Sequence, residues 1–173
     1  MKNRNGLIHS SALALRLASF ADWAFGAAVL AGLAASATLG GRFTTLLLGE
    51  DGGAALDERT AGIRWLMVLG IAMAGLIFVM LRALRQIVAT VMAGDPFVLD
   101  NAARLRTIGW SLVAIQLLDI PAVLIARGFP ALGSAAPDAG ISPAGWLAVL
   151  MSFVLARVFV VGAGMRDDLE GTV

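Results

Sequence analysis

Asp22, Asp119 and Arg157 each interrupt a stretch that is otherwise apolar and long enough to cross a bilayer. A charge at mid-membrane depth costs roughly 3 kcal/mol or more unless it is paired or wet. Residues of this kind therefore face a bundle interior, and they serve as structural ion pairs, as steps on a proton or ion path, or as the polar wall of a ligand pocket. Asp119 lies about eleven residues, or roughly 16 Å, from the start of its stretch, and Arg157 lies equally far from the start of its own, which enters from the other surface. Both fall near the middle of a hydrocarbon core about 30 Å thick, with Asp22 slightly nearer one surface. An intramembrane polar cluster of Asp22, Gln116, Asp119 and Arg157 is expected, centred on an Asp119–Arg157 pair. Gln116 shares the face of Asp119 one turn earlier. Pro121 takes away the hydrogen bond to the Leu117 carbonyl and is expected to kink the helix beside the acid. A conducting path normally needs several protonatable groups in line; here there are two carboxylates and no intramembrane His or Glu.

The elements that must position these groups follow from runs of about 20 apolar residues. Four such runs occur, over about 13–39, 63–81, 108–126 and 146–161. Helices satisfy their own backbone in lipid, whereas four strands cannot close a barrel. The expected fold is all-α, a polytopic four-transmembrane-helix bundle forming a single domain over 1–173. Nine of the thirteen Lys and Arg residues lie in the N-terminal segment (Lys2, Arg4, Arg16), the middle loop (Arg82, Arg85, Arg104, Arg106) and the C-terminal end (Arg157, Arg166). The other four are Arg42, Arg59, Arg64 and Arg127. Basic residues stay on the cytoplasmic side, so both termini and the middle loop are expected inside. Trp65, Trp110 and Trp146 stand at the start of spans, where an indole prefers the interface. Ala35-Ser36-Ala37 resembles a signal-peptide cleavage site, but the preceding run is long and contains Asp22, so the segment is expected to remain as a span.

With 59% hydrophobic and 14% charged residues, the 173-residue chain has too little polar material for a water-soluble surface. Its net charge of +1 gives no bulk attraction to nucleic acid, and none is expected to bind directly. There are no cysteines, and the one histidine, His9, precedes the first apolar run. No Gly-rich phosphate loop, metal-spaced cluster or Ser-His-Asp set is present. The expectation is a non-enzymatic protein with no cofactor and no metal. Small residues recur every fourth position in the first span (Ala24, Ala28, Gly32, Ser36), in the fourth (Ala148, Ser152, Ala156) and in the second (Gly70, Ala74). Such stripes let helix backbones approach closely. They fit packing within the chain, or a homo-oligomer seam on the first helix.

In the middle loop, Leu81, Leu84, Val88 and Val91 recur at helical spacing opposite Arg82, Arg85, Gln86 and Ala89, so the second helix is expected to run on past the membrane. Gly94-Asp95-Pro96 should stop it, and Asp100 or Asn101 should cap the next helix. The loop arginines fit topology signals and contacts to anionic lipid.

Gly94-Asp95-Pro96-Phe97-Val98, followed by Asn101-Ala102, Arg104-Leu105 and Ile108-Gly109-Trp110, resembles the signature of the bacterial DUF2975 family of small membrane proteins. Val158-Phe159, Gly162 and the closing Asp168-Leu169-Glu170-Gly171-Thr172-Val173 agree with it. The resemblance runs from about Arg82 to the C-terminus; the first two helices match in pattern only. Val160 departs from it, standing where many relatives carry a basic residue. The resemblance implies a four-helix, multi-pass protein of the bacterial inner membrane that holds or modulates a small cytoplasmic helix-turn-helix regulator. The corresponding surface would comprise Asp95, Pro96, Phe97, Asn101, Arg104, Arg106, Arg166, Asp167, Asp168 and Glu170, with Arg104 or Arg106 meeting the acids of the tail. The rival reading is a small transporter or channel using Asp22, Asp119 and Arg157; a third is a structural subunit of a larger membrane assembly.

Overall fold

The computed structural model describes the backbone of residues 2–48, 55–137, 140 and 142–170, and the side chains of 13–46, 56–137, 140, 142–166 and 168. The described chain is helical throughout, with α1 Lys2–Leu39, α2 Gly41–Leu48, α3 Ala55–Met92, α4 Leu99–Gly128 and α5 Pro143–Glu170. A short 3-10 segment, Pro130–Ala135, lies between α4 and α5. Four of these helices are long and apolar enough to cross a membrane: Leu13–Leu39, Leu56–Met92, Leu99–Gly128 and Pro143–Arg166. That is the pattern of a multi-pass membrane protein. Each helix outruns the apolar stretch that announces it. A helix ends where its backbone is capped or broken, not where its side chains stop being apolar.

The caps show this residue by residue. α3 closes in a Schellman motif: the Asp95 N–H donates to the Thr90 carbonyl at 3.0 Å and the Gly94 N–H to the Val91 carbonyl at 3.2 Å. The motif needs a left-handed residue at Gly94, which has φ +86°, and Pro96 then prevents any return to the helix. α5 begins Ser142-Pro143: the Ser142 hydroxyl accepts from the Gly145 N–H at 3.1 Å, and proline fills the first helical position, where no N–H is needed. α4 starts two or three residues earlier than expected, at Leu99. Asp100 and Asn101 thus lie inside its first turn rather than at its cap, and the Asn101 side chain is free to reach backwards. α4 continues through Pro121.

By its internal contacts the chain divides into two compact units, and α1, α3 and α4 each contribute to both. The first unit comprises Met1–Asp22, Leu76–Ala114 and Ser142–Val173. In it α5 buries Val149, Ser152, Ala156 and Ala163, a stripe at helical spacing. Ser152 and Ala156 of the expected small-residue row are used, but Val149 takes the place of Ala148, which is exposed. Close approach is enforced by two aromatic rings laid on glycines. Phe153 covers Gly109, and Phe97 covers Gly162 so tightly that a β-carbon there would sit 2.8 Å from the ring. Phe97 and Phe159 have centroids 5.5 Å apart, and Trp110 meets Phe153 edge-on at 5.4 Å.

The second unit comprises Trp23–Gly75 and Ile115–Ile141. Here Gly32 faces Met67 and Phe43, Gly70 faces Val29, and Gly26 faces Ala74. The lower part of the α1 stripe, Gly32 and Ser36, thus packs within the chain; Ala24 and Ala28 are exposed. Leu132 of the 3-10 segment is fully buried on Gly62, so the Pro-rich connection carries a hydrophobic plug that its composition did not announce.

Candidate functional site

The densest polar arrangement in the first unit lies where α3 turns into α4. Asn101 has 0% exposure. Its Nδ2 donates to the Thr90 hydroxyl at 2.7 Å and to the Pro96 carbonyl at 2.8 Å. The Thr90 hydroxyl spends its own proton on the Ile87 carbonyl at 2.7 Å, which leaves its lone pairs for Asn101. The Asn101 Oδ1 accepts from Arg104 Nη1 at 2.7 Å, and Arg104 Nη2 also lies 3.6 Å from Asp100 Oδ2. One amide therefore ties together the last turn of α3, the loop and the first turn of α4. A buried amide with its donors and acceptor all used is a rigid element, because breaking any one bond strands a polar group away from water.

The end of α5 joins the same element. Arg166 donates to the Asp95 carboxylate. The sequence leads one to expect Arg104 or Arg106 of the turn to meet acids of the tail. The observed contact has the charges exchanged, with the turn supplying the anion and α5 the cation. Arg104 lends its guanidinium to Asn101 and Asp100. Arg106 is exposed. Of the expected surface, Asp95 and Pro96 are half-buried, Phe97 is exposed at its rim yet packed on Gly162 and Phe159, and Asn101 is buried and so cannot touch a partner. Asp168 is exposed. The side chains of Asp167 and Glu170 lie outside the described residues, as do His9 and the loop acids Glu50 and Asp51.

Asp22, Gln116 and Asp119 are half-buried, but Arg157 is exposed on α5. Distance along a helix gives depth in the membrane, but it leaves open which way around the axis a side chain faces. Arg157 lies one residue after the buried Ala156, and about 100° of rotation carries it off the packed stripe.

The second unit holds a polar knot that no motif in the sequence marks. Ser36, Thr44 and Thr60 are all buried. Thr60 donates its hydroxyl proton to the Leu56 carbonyl at 2.7 Å, so in the 2.6 Å Thr44–Thr60 contact Thr44 is the donor. Arg64 Nε donates to the Ser36 hydroxyl at 3.2 Å, and its Nη2 donates to the Ser36 carbonyl. That carbonyl also accepts the Gly40 N–H at 3.1 Å. A cation is thus set against the last carbonyls of α1, where the helix dipole favours it. Arg64, read from sequence as a topology-setting charge, is a helix-end cap.

Among the described residues no group of three or more His, Asp or Glu comes together as a metal site would need. What the chain offers is a pair of hydrogen-bonded scaffolds, one of which carries exposed charge. No curated protein and no solved structure matches the chain. The family described as "Protein of unknown function (DUF2975)" matches residues 51–173, which takes in α3, α4, α5 and the whole of the locked turn. The chain belongs to the DUF2975 family.

Proposed function

We propose that this is a non-enzymatic, multi-pass protein of the bacterial inner membrane whose locked turn docks a small cytoplasmic regulator of the helix-turn-helix class. The carrying observation is the pre-organised construction of residues 90–104 by Asn101, extended to α5 by Arg166 and Asp95. A docking surface held rigid before binding loses little ordering entropy on association. Around that scaffold stand Phe97, Leu99, Asp100 and Arg106, all exposed, an aromatic and aliphatic patch beside charges of both signs. Interfaces concentrate their energy in such anchors. The excess of Lys and Arg at this end supports a cytoplasmic side by the positive-inside rule, and the family resemblance supports the class of partner.

The test is affinity purification of the tagged full chain, cross-linked in its native cell. It should recover a small DNA-binding protein, and Arg106→Glu should reduce recovery about ten-fold while leaving the membrane level of the bait unchanged. Recovery of no DNA-binding protein by the unaltered chain, or recovery insensitive to Arg106→Glu, would overturn the reading.

A further inference from the structure

Arg16 of α1 and Arg85 of α3 line one groove in the first unit, and the rest of its wall is Leu15, Val88, Ala89 and Met92. Two features set it apart from an ordinary seam between helices. It brings two guanidinium groups together with no acid among its lining residues, an arrangement that raises the local potential and attracts an anion. Its remaining wall is apolar, with Arg85, Val88, Ala89 and Met92 following one face of α3 at helical spacing.

Depth agrees with chemistry. Arg16 stands about three residues into the apolar run that begins near 13, roughly 5 Å along the axis. Arg85 stands about four residues past the apolar run that ends near 81, roughly 6 Å along the axis. Both arginines thus stand within reach of one edge of the hydrocarbon, where long cationic side chains extend to the headgroup level. The groove has a volume of about 200 Å³ and is open on one side. That is below the roughly 300–1,000 Å³ of sites that enclose a metabolite, and it suits a phosphate with the first part of an attached chain.

We infer that this groove is a binding site for an anionic phospholipid, with the phosphate held between Arg16 and Arg85 and an acyl chain laid over Leu15, Val88 and Ala89. Guanidinium forks match phosphate oxygens in geometry and charge, and basic pockets between membrane helices are where headgroup recognition is concentrated. The site is distinct from the locked turn, and its test needs no regulator.

The full chain is reconstituted into phosphatidylcholine nanodiscs, and phosphatidylglycerol is titrated against it with retention read by native mass spectrometry. The unaltered protein should retain phosphatidylglycerol in preference to phosphatidylcholine. Arg16→Gln or Arg85→Gln should each lower that preference about five-fold, the pair more than either alone. The lysine variants should keep most of it, and Ala89→Trp should reduce it by filling the groove with both charges in place. Arg82→Gln, an exposed arginine of the same helix outside the groove, should leave it unchanged. The inference is overturned if Arg82→Gln weakens retention as much as the groove variants do, because the attraction is then general to a basic surface. It is overturned equally if excess inorganic phosphate displaces the lipid, or if Ala89→Trp and the lysine variants both retain the full preference while the glutamine variants fail to fold.

Discussion

Each of the two units holds a polar knot, and the two are tied differently. In the first, Asn101 works alone: one amide reaches Thr90, Pro96 and Arg104, all within eleven residues of it. In the second, the work is divided between a threonine pair and an arginine–serine pair that link segments 16 and 28 residues apart. The local knot has a single point of failure. The distributed one joins separate helices, so its parts fail one at a time. Polar contacts between membrane helices are individually modest, averaging about 0.6 kcal/mol where they have been measured. A buried group with several partners left stranded costs much more.

The largest effect should come from Asn101→Leu, which keeps the volume and leaves the Pro96 carbonyl and the Arg104 guanidinium without their partner. A loss of about 3 kcal/mol is expected in reversible unfolding in mixed micelles. A smaller loss than that of any single change in the second unit would reverse the comparison. Arg64→Leu follows, removing the charged cap at the end of α1 for about 2 kcal/mol. The same titration should show Ser36→Ala recovering little further loss in the Arg64→Leu background, because the two act through one contact. Arg166→Gln should be the mildest, at about 0.5 kcal/mol. Arg166 and Asp95 retain 41% and 38% exposure, and solvent screens such a pair. A cost above that of Arg64→Leu would make the end of α5 a principal support of the turn instead of an attachment to it.

These contrasts also explain which features could be read from the sequence. The four long helices were visible because apolar length is a property of a run, and the end of α3 was visible because Gly94-Asp95-Pro96 is a local instruction. Asn101 was found but given the wrong task. A capping rule looks forward into the new helix, whereas this side chain reaches back across the turn to Thr90. For Arg157, exposed on α5, the sequence offers a position along the helix but no azimuth, since that depends on which face of α5 packs. Ser36, Thr44, Thr60 and Arg64 were not recognised as a group at all. They have neither spacing nor composition in common, and only the packing of α1, α2 and α3 brings them together. Ser142 before Pro143 was a readable cap signal that the apolar run, beginning later, obscured.

The Asp95–Arg166 tie also has a consequence for the order in which the molecule is assembled. Its two ends are 71 residues apart. At ordinary elongation speeds of about 5–20 residues per second, roughly 4 to 14 s pass between synthesis of one partner and the other. The amide-centred turn needs nothing beyond Arg104 and can set while the ribosome is still at work. The ionic tie must wait for the last helix to be delivered, and so it records that translation has reached the end of α5.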